Sequence, residues 1–139
     1  MLGICLHGSG VYELPYLDFG KVVSFFTNVF AGCKNLQSAP EMNVDNVTSF
    51  EGTFINCSNM INFPVINAPN VQGFYTCFGG CTNLSNDALN NIMYMLSTSN
   101  VTNSQRKKLS YIGLSSSQIA TCQTLSNYSL ITAKGWSAT

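Results

Sequence analysis

One interval dominates this sequence: similar side chains recur at every twenty-fourth position. Cys33, Cys57 and Cys81 are evenly spaced at this interval, and a phenylalanine stands three positions before every one of them. A leucine or methionine stands three positions after each cysteine, so the repeated apolar set is Phe30, Phe54, Phe78, Leu36, Met60 and Leu84. Such a period is typical of chains whose consecutive units stack and bury equivalent side chains against one another.

Each unit has the same internal order. A short apolar segment containing Pro40 or Pro64 is followed by Asn-rich turn residues and then by a Val-x-x-Phe stretch. The apolar segment is too short and too interrupted for a helix, and it favours a short extended strand. An earlier copy with one inserted residue aligns five positions with later ones, namely Val11, Leu14, Pro15, Val22 and Phe25 with Leu36, Ala39, Pro40, Val47 and Phe50.

Two segments carry a resemblance to a known family. Residues 30–36 read FAGCKNL and residues 45–50 read DNVTSF. They resemble the BspA-like leucine-rich repeats of bacterial surface proteins, especially the variant MFxxCxxLxxLPxLDTSNVTxM that also occurs in mycoplasma surface lipoproteins, and the likeness extends over about residues 11–84. The resemblance implies an α/β repeat solenoid, a leucine-rich-repeat-like right-handed coil of short strands and turns, with adhesion as its usual role.

Helical spacing replaces the repeat period after Leu84. Ser85 or Asn86 can cap a helix that has Asp87 in its first turn. Its apolar face is predicted to consist of Leu89, Ile92, Met93 and Leu96. An open stack of repeats exposes an apolar cross-section, so a terminal segment of different sequence is expected to close it.

Further signals follow towards the C-terminus. The Ser115-x-x-Gln118 pattern predicts a capping box ahead of a second helix, and a third helix is expected from about residue 126 or 127 to Gly135. The spacing of Leu109, Ile112 and Leu114 predicts one last strand. We therefore divide the chain into an N-terminal extension at 1–10, repeats at 11–84 and a helical C-terminal capping region at 85–139, a region that also resembles the terminal segment of bacterial and phage proteins with the same repeats. Because residues 1–10 offer no comparable cap, an upstream domain or another subunit is expected to cover that end.

The repeated cysteines favour a structural interpretation. Since Cys33, Cys57 and Cys81 share one position of the repeat, we expect reduced, buried thiols stacked in one column. Cys77 lies four positions before Cys81, a spacing that permits a bridge or a ligand pair, yet it occupies the position of an apolar or Thr side chain in the other units. The one histidine, His7, is remote in sequence. No metal site, cofactor or catalytic residue is therefore predicted.

The low content of charged residues limits the kinds of partner that this chain is expected to bind. Only 9% of the residues are charged, against roughly 25% in an average soluble domain. Six basic and six acidic side chains cancel, so no basic field predicts nucleic-acid binding. No apolar stretch approaches the roughly 18 residues of a membrane span. The basic run at 106–108 is expected at a solvated helix end, and contact with an anionic partner is the alternative.

Together these features predict a protein that is not an enzyme. The expected function is that of a protein-interaction or adhesion module of a bacterial surface protein, located at the cell surface or outside the cell, which binds an extracellular protein or glycan through the solenoid face. The alternative is a structural or receptor-binding component of a phage virion or tail fibre. The sequence does not predict which residues form the binding face.

Overall fold

Backbone hydrogen bonds join turns that lie one repeat apart. The computed structural model describes residues 13–23 and 26–139. The N–H of Phe30 donates to the carbonyl of Thr53 at 2.9 Å, and one unit later the N–H of Phe54 donates to the carbonyl of Cys77 at 3.0 Å. Consecutive turns therefore lie side by side, and equivalent residues of successive units become neighbours.

The phenylalanines stack as a result. The rings of Phe30 and Phe54 are 5.2 Å apart between centroids and inclined by 5°, and those of Phe54 and Phe78 are 5.8 Å apart and inclined by 6°. A second column joins Phe26 to Phe50 at 5.1 Å and Phe50 to Phe74 at 5.6 Å. All six rings are buried. These two columns form the centre of the hydrophobic core.

Regular strand structure is scarce among the described residues. Strand β1 (Leu17–Asp18) pairs in parallel with β2 (Met42–Asn43), with Leu17 opposite Met42. Between the next two units, a single isolated bridge joins Ser38 to Asn62. The predicted fold class, an α/β leucine-rich-repeat-like solenoid of short strands, is therefore wrong.

Pro64 explains why the next ladder stops at the Ser38–Asn62 bridge. Pro40 and Pro64 stand at equivalent places of successive units, in the segments where strands were predicted. At that bridge the N–H of Asn62 donates to the carbonyl of Gln37, and the N–H of Ala39 donates to the carbonyl of Asn62. The next donor in register would be the N–H of residue 64, which proline lacks. The equivalent Pro15 and Pro40 stand before β1 and β2 and do not prevent their pairing. Beyond these short pairings the units are held by hydrogen bonds between their turns.

Three α-helices follow the stacked turns: α1 (Asn86–Thr98), α2 (Ser116–Cys122) and α3 (Tyr128–Thr132). The hydroxyl of Ser85 accepts from the N–H of Ala88, and the capping box of Ser115 and Gln118 is complete, which confirms both predicted helix starts. The predicted apolar face of α1 is buried. Helix α1 contacts both α2 and α3, so the three helices pack together.

The predicted last strand does not form. Leu109, Ile112 and Leu114 are buried, but they lie in a turn that contains Gly113 at a φ of +98°. The N–H of Leu109 donates to the carbonyl of Ser137 at 3.1 Å, so this turn holds the C-terminal residues in place. Trp136 is buried and lies 6.4 Å from Phe74 between ring centroids.

Candidate functional site

The repeated cysteines belong to the core. The thiols of Cys57 and Cys81 donate to the carbonyls of Phe30 and Phe54 at 3.1 and 3.0 Å. Burial raises the pKa of Cys57 to about 11 and that of Cys81 to about 12. A thiol with so high a pKa stays protonated at neutral pH and is a poor nucleophile.

The expectation of reduced thiols throughout the column is wrong at its first member. Cys33 takes part in a disulfide bond, whereas Cys57, Cys77, Cys81 and Cys122 are free. Burial also raises the pKa of Cys77 well above its ordinary value. Among residues 13–23 and 26–139, no group of three His, Cys, Asp or Glu side chains could hold a metal ion. His7 lies outside the described residues.

The other members of the predicted column line the interior of the stack. Leu84 is partly buried, and the remaining members are buried: Phe30, Phe54, Phe78, Leu36 and Met60. They belong to the hydrophobic core and line neither of the two surface pockets described below. A binding site must therefore be sought among the outward positions of the repeat.

Two neighbouring units supply one wall of a surface pocket of about 300 Å³. The N–H of Gln72 donates to the carbonyl of Thr48 at 2.9 Å, which sets two equivalent segments side by side. Residues 48, 49 and 51 line the pocket from one unit, and residues 72, 73 and 75 from the next. The pocket therefore depends on the same turn stacking as the core beneath it.

Two tyrosines form the aromatic part of this pocket. Tyr75 directly follows the buried Phe74, and its side chain is 49% exposed. The N–H of Thr76 donates to the carbonyl of Tyr111 at 3.0 Å, which brings the turn around residue 111 against the stack. The two tyrosine rings lie 5.0 Å apart between centroids with an interplanar angle of 48°. A half-exposed ring in a concave site offers apolar area to a ligand.

A glycine keeps the pocket open. Gly73 stands where the preceding unit has Ser49, and both residues line the pocket. A Cβ added to Gly73 would meet only the Nη1 atom of Arg106, at an ordinary contact distance of 3.7 Å. A side chain at position 73 would therefore fill the pocket without a backbone clash.

Charged and amide side chains complete the lining. Glu51, Gln72 and Arg106 are exposed and face the tyrosines around the pocket. Throughout the part of the chain that the structure describes, no hydrogen bond or ion pair engages the side chains of these three residues. They supply both donors and acceptors to a ligand. We call the site formed by Glu51, Gln72, Tyr75, Arg106 and Tyr111 the tyrosine pocket.

A second depression, of about 360 Å³, lies on the face that carries the prolines. Its charged lining residues are Glu13, Glu41 and Asp87, without a basic side chain among the lining residues. Phe63 supplies the aromatic ring of its lining, and this residue is 3% exposed. The depression thus offers carboxylates but hardly any accessible aromatic surface, and the tyrosine pocket is the better candidate for binding.

The residues of this pocket were not predicted from the sequence. The basic run at 106–108 does lie at a helix end, as expected, because exposed Arg106 ends a 3₁₀ turn and Lys107 follows it. Lys107 Nζ donates to the carbonyl of Lys134 at 2.5 Å, just beyond α3, while Arg106 reaches the pocket from a 3₁₀ turn (Ser104–Arg106). The one usable signal was Tyr75, a large aromatic residue at a polar, outward position of the repeat.

Within residues 13–23 and 26–139, no helix has both the length and the apolar character needed to cross a membrane. Comparison with models of known protein families, with curated proteins and with solved structures finds no match for this chain.

Proposed function

We propose that this chain is a non-enzymatic binding module that holds an extracellular protein or glycan in the tyrosine pocket. The observation that carries the proposal is the Tyr75–Tyr111 pair, 5.0 Å apart in a concave surface. Ligand pockets in proteins combine apolar or aromatic walls with a few convergent polar groups. The resemblance of the repeat to those of bacterial surface proteins supports an extracellular role.

The chemistry of the lining supports binding rather than catalysis. The two aliphatic hydroxyl side chains, Thr48 and Ser49, have no imidazole beside them among the lining residues. The Thr48 hydroxyl donates to the carbonyl of Val23 at 3.1 Å, and the Ser49 oxygen accepts from the N–H of Glu51 at 3.3 Å. Both are engaged in holding the backbone of the wall. A nucleophile needs a base that accepts its proton, and among the described residues no hydrogen bond joins either hydroxyl to the side chain of Glu51, the one carboxylate in the lining.

The test is to present the full chain to a glycan array and to a panel of extracellular proteins, and then to repeat the strongest positive with variants. Tyr75→Ala removes the exposed ring, and Gly73→Val fills the pocket. Tyr16→Ala is the matched control, because Tyr16 is 59% exposed and lies outside the pocket. Truncating a central aromatic anchor costs about 2 kcal/mol or more, which is at least about a tenfold loss of affinity.

Both pocket variants are expected to lose at least about tenfold in affinity while the control is unchanged. Circular dichroism checks that the variants remain folded. A ligand bound with equal affinity by all three variants would place the binding site elsewhere and remove the basis of the proposal.

A further inference from the structure

Arg106 is the one member of its basic run that faces the pocket. Lys107 is held by the carbonyl of Lys134, and Lys108 Nζ donates to the side-chain oxygen of Gln105 at 3.0 Å. Asn103 caps the turn that carries Arg106, since its side chain accepts from the N–H of Gln105 at 2.9 Å. The backbone of Arg106 is therefore fixed beside the pocket.

The guanidinium of Arg106 lies over Gly73 at the pocket wall. Its Nη1 atom stands 3.7 Å from the place that a Cβ of residue 73 would occupy. Within the described residues, the guanidinium N–H groups have no acceptor and the charge has no acidic partner. A guanidinium presents five N–H donors in a planar fork that fits a carboxylate with two parallel hydrogen bonds.

We propose that the tyrosine pocket binds a sugar residue that carries a carboxylate, such as a uronic acid. This inference rests on the proposed function and specifies its ligand. The carboxylate pairs with Arg106, and the apolar face of the sugar ring lies on Tyr75. The ring hydroxyls donate to Glu51 and exchange hydrogen bonds with Gln72, whose amide both donates and accepts.

Glu51 distinguishes a sugar from an acidic peptide. Its carboxylate can only accept hydrogen bonds, and it lines the same pocket as Arg106. A peptide rich in Asp or Glu brings further negative charge towards Glu51 and no hydroxyl donors, so repulsion offsets the attraction to Arg106. A uronic acid brings one carboxylate and several hydroxyls. The pocket volume of about 300 Å³, at the lower end of the roughly 300–1,000 Å³ usual for ligand sites, suits one such unit.

The probes are methyl β-glucuronide and methyl β-glucoside, which share a ring and differ in the carboxylate. Their affinities for the full chain are measured by NMR titration at low and high salt. The glucuronide is expected to bind about tenfold more tightly at low salt, with the preference shrinking as salt screens the partly exposed charge pair. Arg106→Gln is expected to remove the preference, so that the glucuronide and the glucoside then bind with equal affinity. Lys108→Gln, a charge loss in the same run outside the pocket, is the control and keeps the preference.

Each alternative outcome has a distinct meaning. If the two sugars bind equally and Tyr75→Ala weakens both, the acidic-sugar inference is overturned and the proposed function stands. If neither sugar binds but a hexaglutamate peptide binds in a manner that depends on Arg106 and Tyr75, the inference is again overturned, in favour of an acidic protein ligand. If the glucuronide binds regardless of changes at residues 73, 75 and 106, both the inference and the proposed site fail.

Discussion

Replacing Phe54 with alanine tests the stacked arrangement at its centre. Phe54 has no exposed surface, and its ring lies between those of Phe30 at 5.2 Å and Phe78 at 5.8 Å, with Phe63 edge-on at 5.5 Å. A buried Phe→Ala change costs about 3–5 kcal/mol in the free energy of unfolding, and neighbours that are themselves held by hydrogen-bonded turns collapse little into the cavity. The expected loss is therefore about 4 kcal/mol, a large share of the roughly 5–15 kcal/mol that stabilises a typical domain.

Urea unfolding measures this loss, with the fluorescence of Trp136 as the probe, because it is the one tryptophan and is buried. With a slope of about 2 kcal/mol per molar urea, the midpoint falls by about 2 M. Phe54→Leu keeps the apolar burial but loses the ring contacts, at an expected cost of about 1–3 kcal/mol. Val65→Ala, at a side chain 64% exposed, is expected to cost under about 0.5 kcal/mol. If Phe54→Ala behaves like Val65→Ala, the phenylalanine column does not carry the stability assigned to it.

Three further predictions concern single interactions. Thr53→Val removes the buried hydroxyl that donates to the carbonyl of Phe26 at 2.9 Å, and should cost about 1–3 kcal/mol in thermal or urea unfolding, whereas Thr53→Ser should cost less. Unfolded thiols ionise near pH 9.0, whereas folded Cys57 and Cys81 have pKa values of about 11 and about 12. The stability that these two thiols contribute is therefore complete below pH 9, and between pH 9 and 11 it falls by about 1.4 kcal/mol per pH unit for each thiol. A double Cys→Ala variant should show a shallower fall of the free energy of unfolding over this pH range. Gly113→Ala places a Cβ 2.5 Å from the backbone nitrogen of Gly79, at a φ of +98°, and should lower the melting temperature by several degrees. An unchanged melting temperature would contradict the close approach of the turns that contain Gly79 and Gly113.

The helices could be predicted because their signals are local. Ser85 accepts from the N–H of Ala88 at 3.1 Å, and the Ser115–Gln118 capping box closes within a single turn of backbone. Each of these starts needs only its own side chains and the next turn of the helix. Neither depends on how the rest of the chain is arranged, so the sequence pattern alone was sufficient.

The strands could not be predicted from the same pattern. An apolar segment between turns favours extended backbone, but a ladder also needs backbone donors at regular positions of both partners. Pro64 lacks the N–H that would continue the ladder after the Ser38–Asn62 bridge, so that pairing ends there. Pro15 and Pro40 are aligned in the same way, yet β1 and β2 pair directly after them. Whether a proline ends a ladder depends on which backbone N–H groups face the neighbour, and this becomes visible only when the segments lie side by side.

The inserted residue of the first copy was also misplaced. Leu17 pairs with Met42 at an offset one position longer than the repeat, whereas Phe26 stacks on Phe50 at the repeat interval itself. Phe25, which the sequence alignment matched to Phe50, lies outside the described residues, and it is the ring of Phe26 that stacks on Phe50. The offset between neighbouring units is thus 25 residues at Asp18 and Asn43 and 24 residues at Phe26 and Phe50, and the phenylalanine columns keep the strict period that their packing requires.

The repeat pattern could not predict the candidate site, because a repeat is recognised by the residues that its units have in common. The residues that directly follow Phe26, Phe50 and Phe74 are a threonine, a glutamate and a tyrosine, and hydrogen bonds between neighbouring turns set such positions in a row along the surface. Packing fixes the phenylalanines, but nothing in the core restrains the next residue, which is free to acquire a binding role. Tyr111 lies next to Tyr75 and extends this row, although it belongs to no repeat. It is placed there because residues 108–114 fold back against the last turn. In a chain of this kind, the positions that carry the same residue type in every unit locate the core. A binding site should be sought at outward positions where the residue type differs between units.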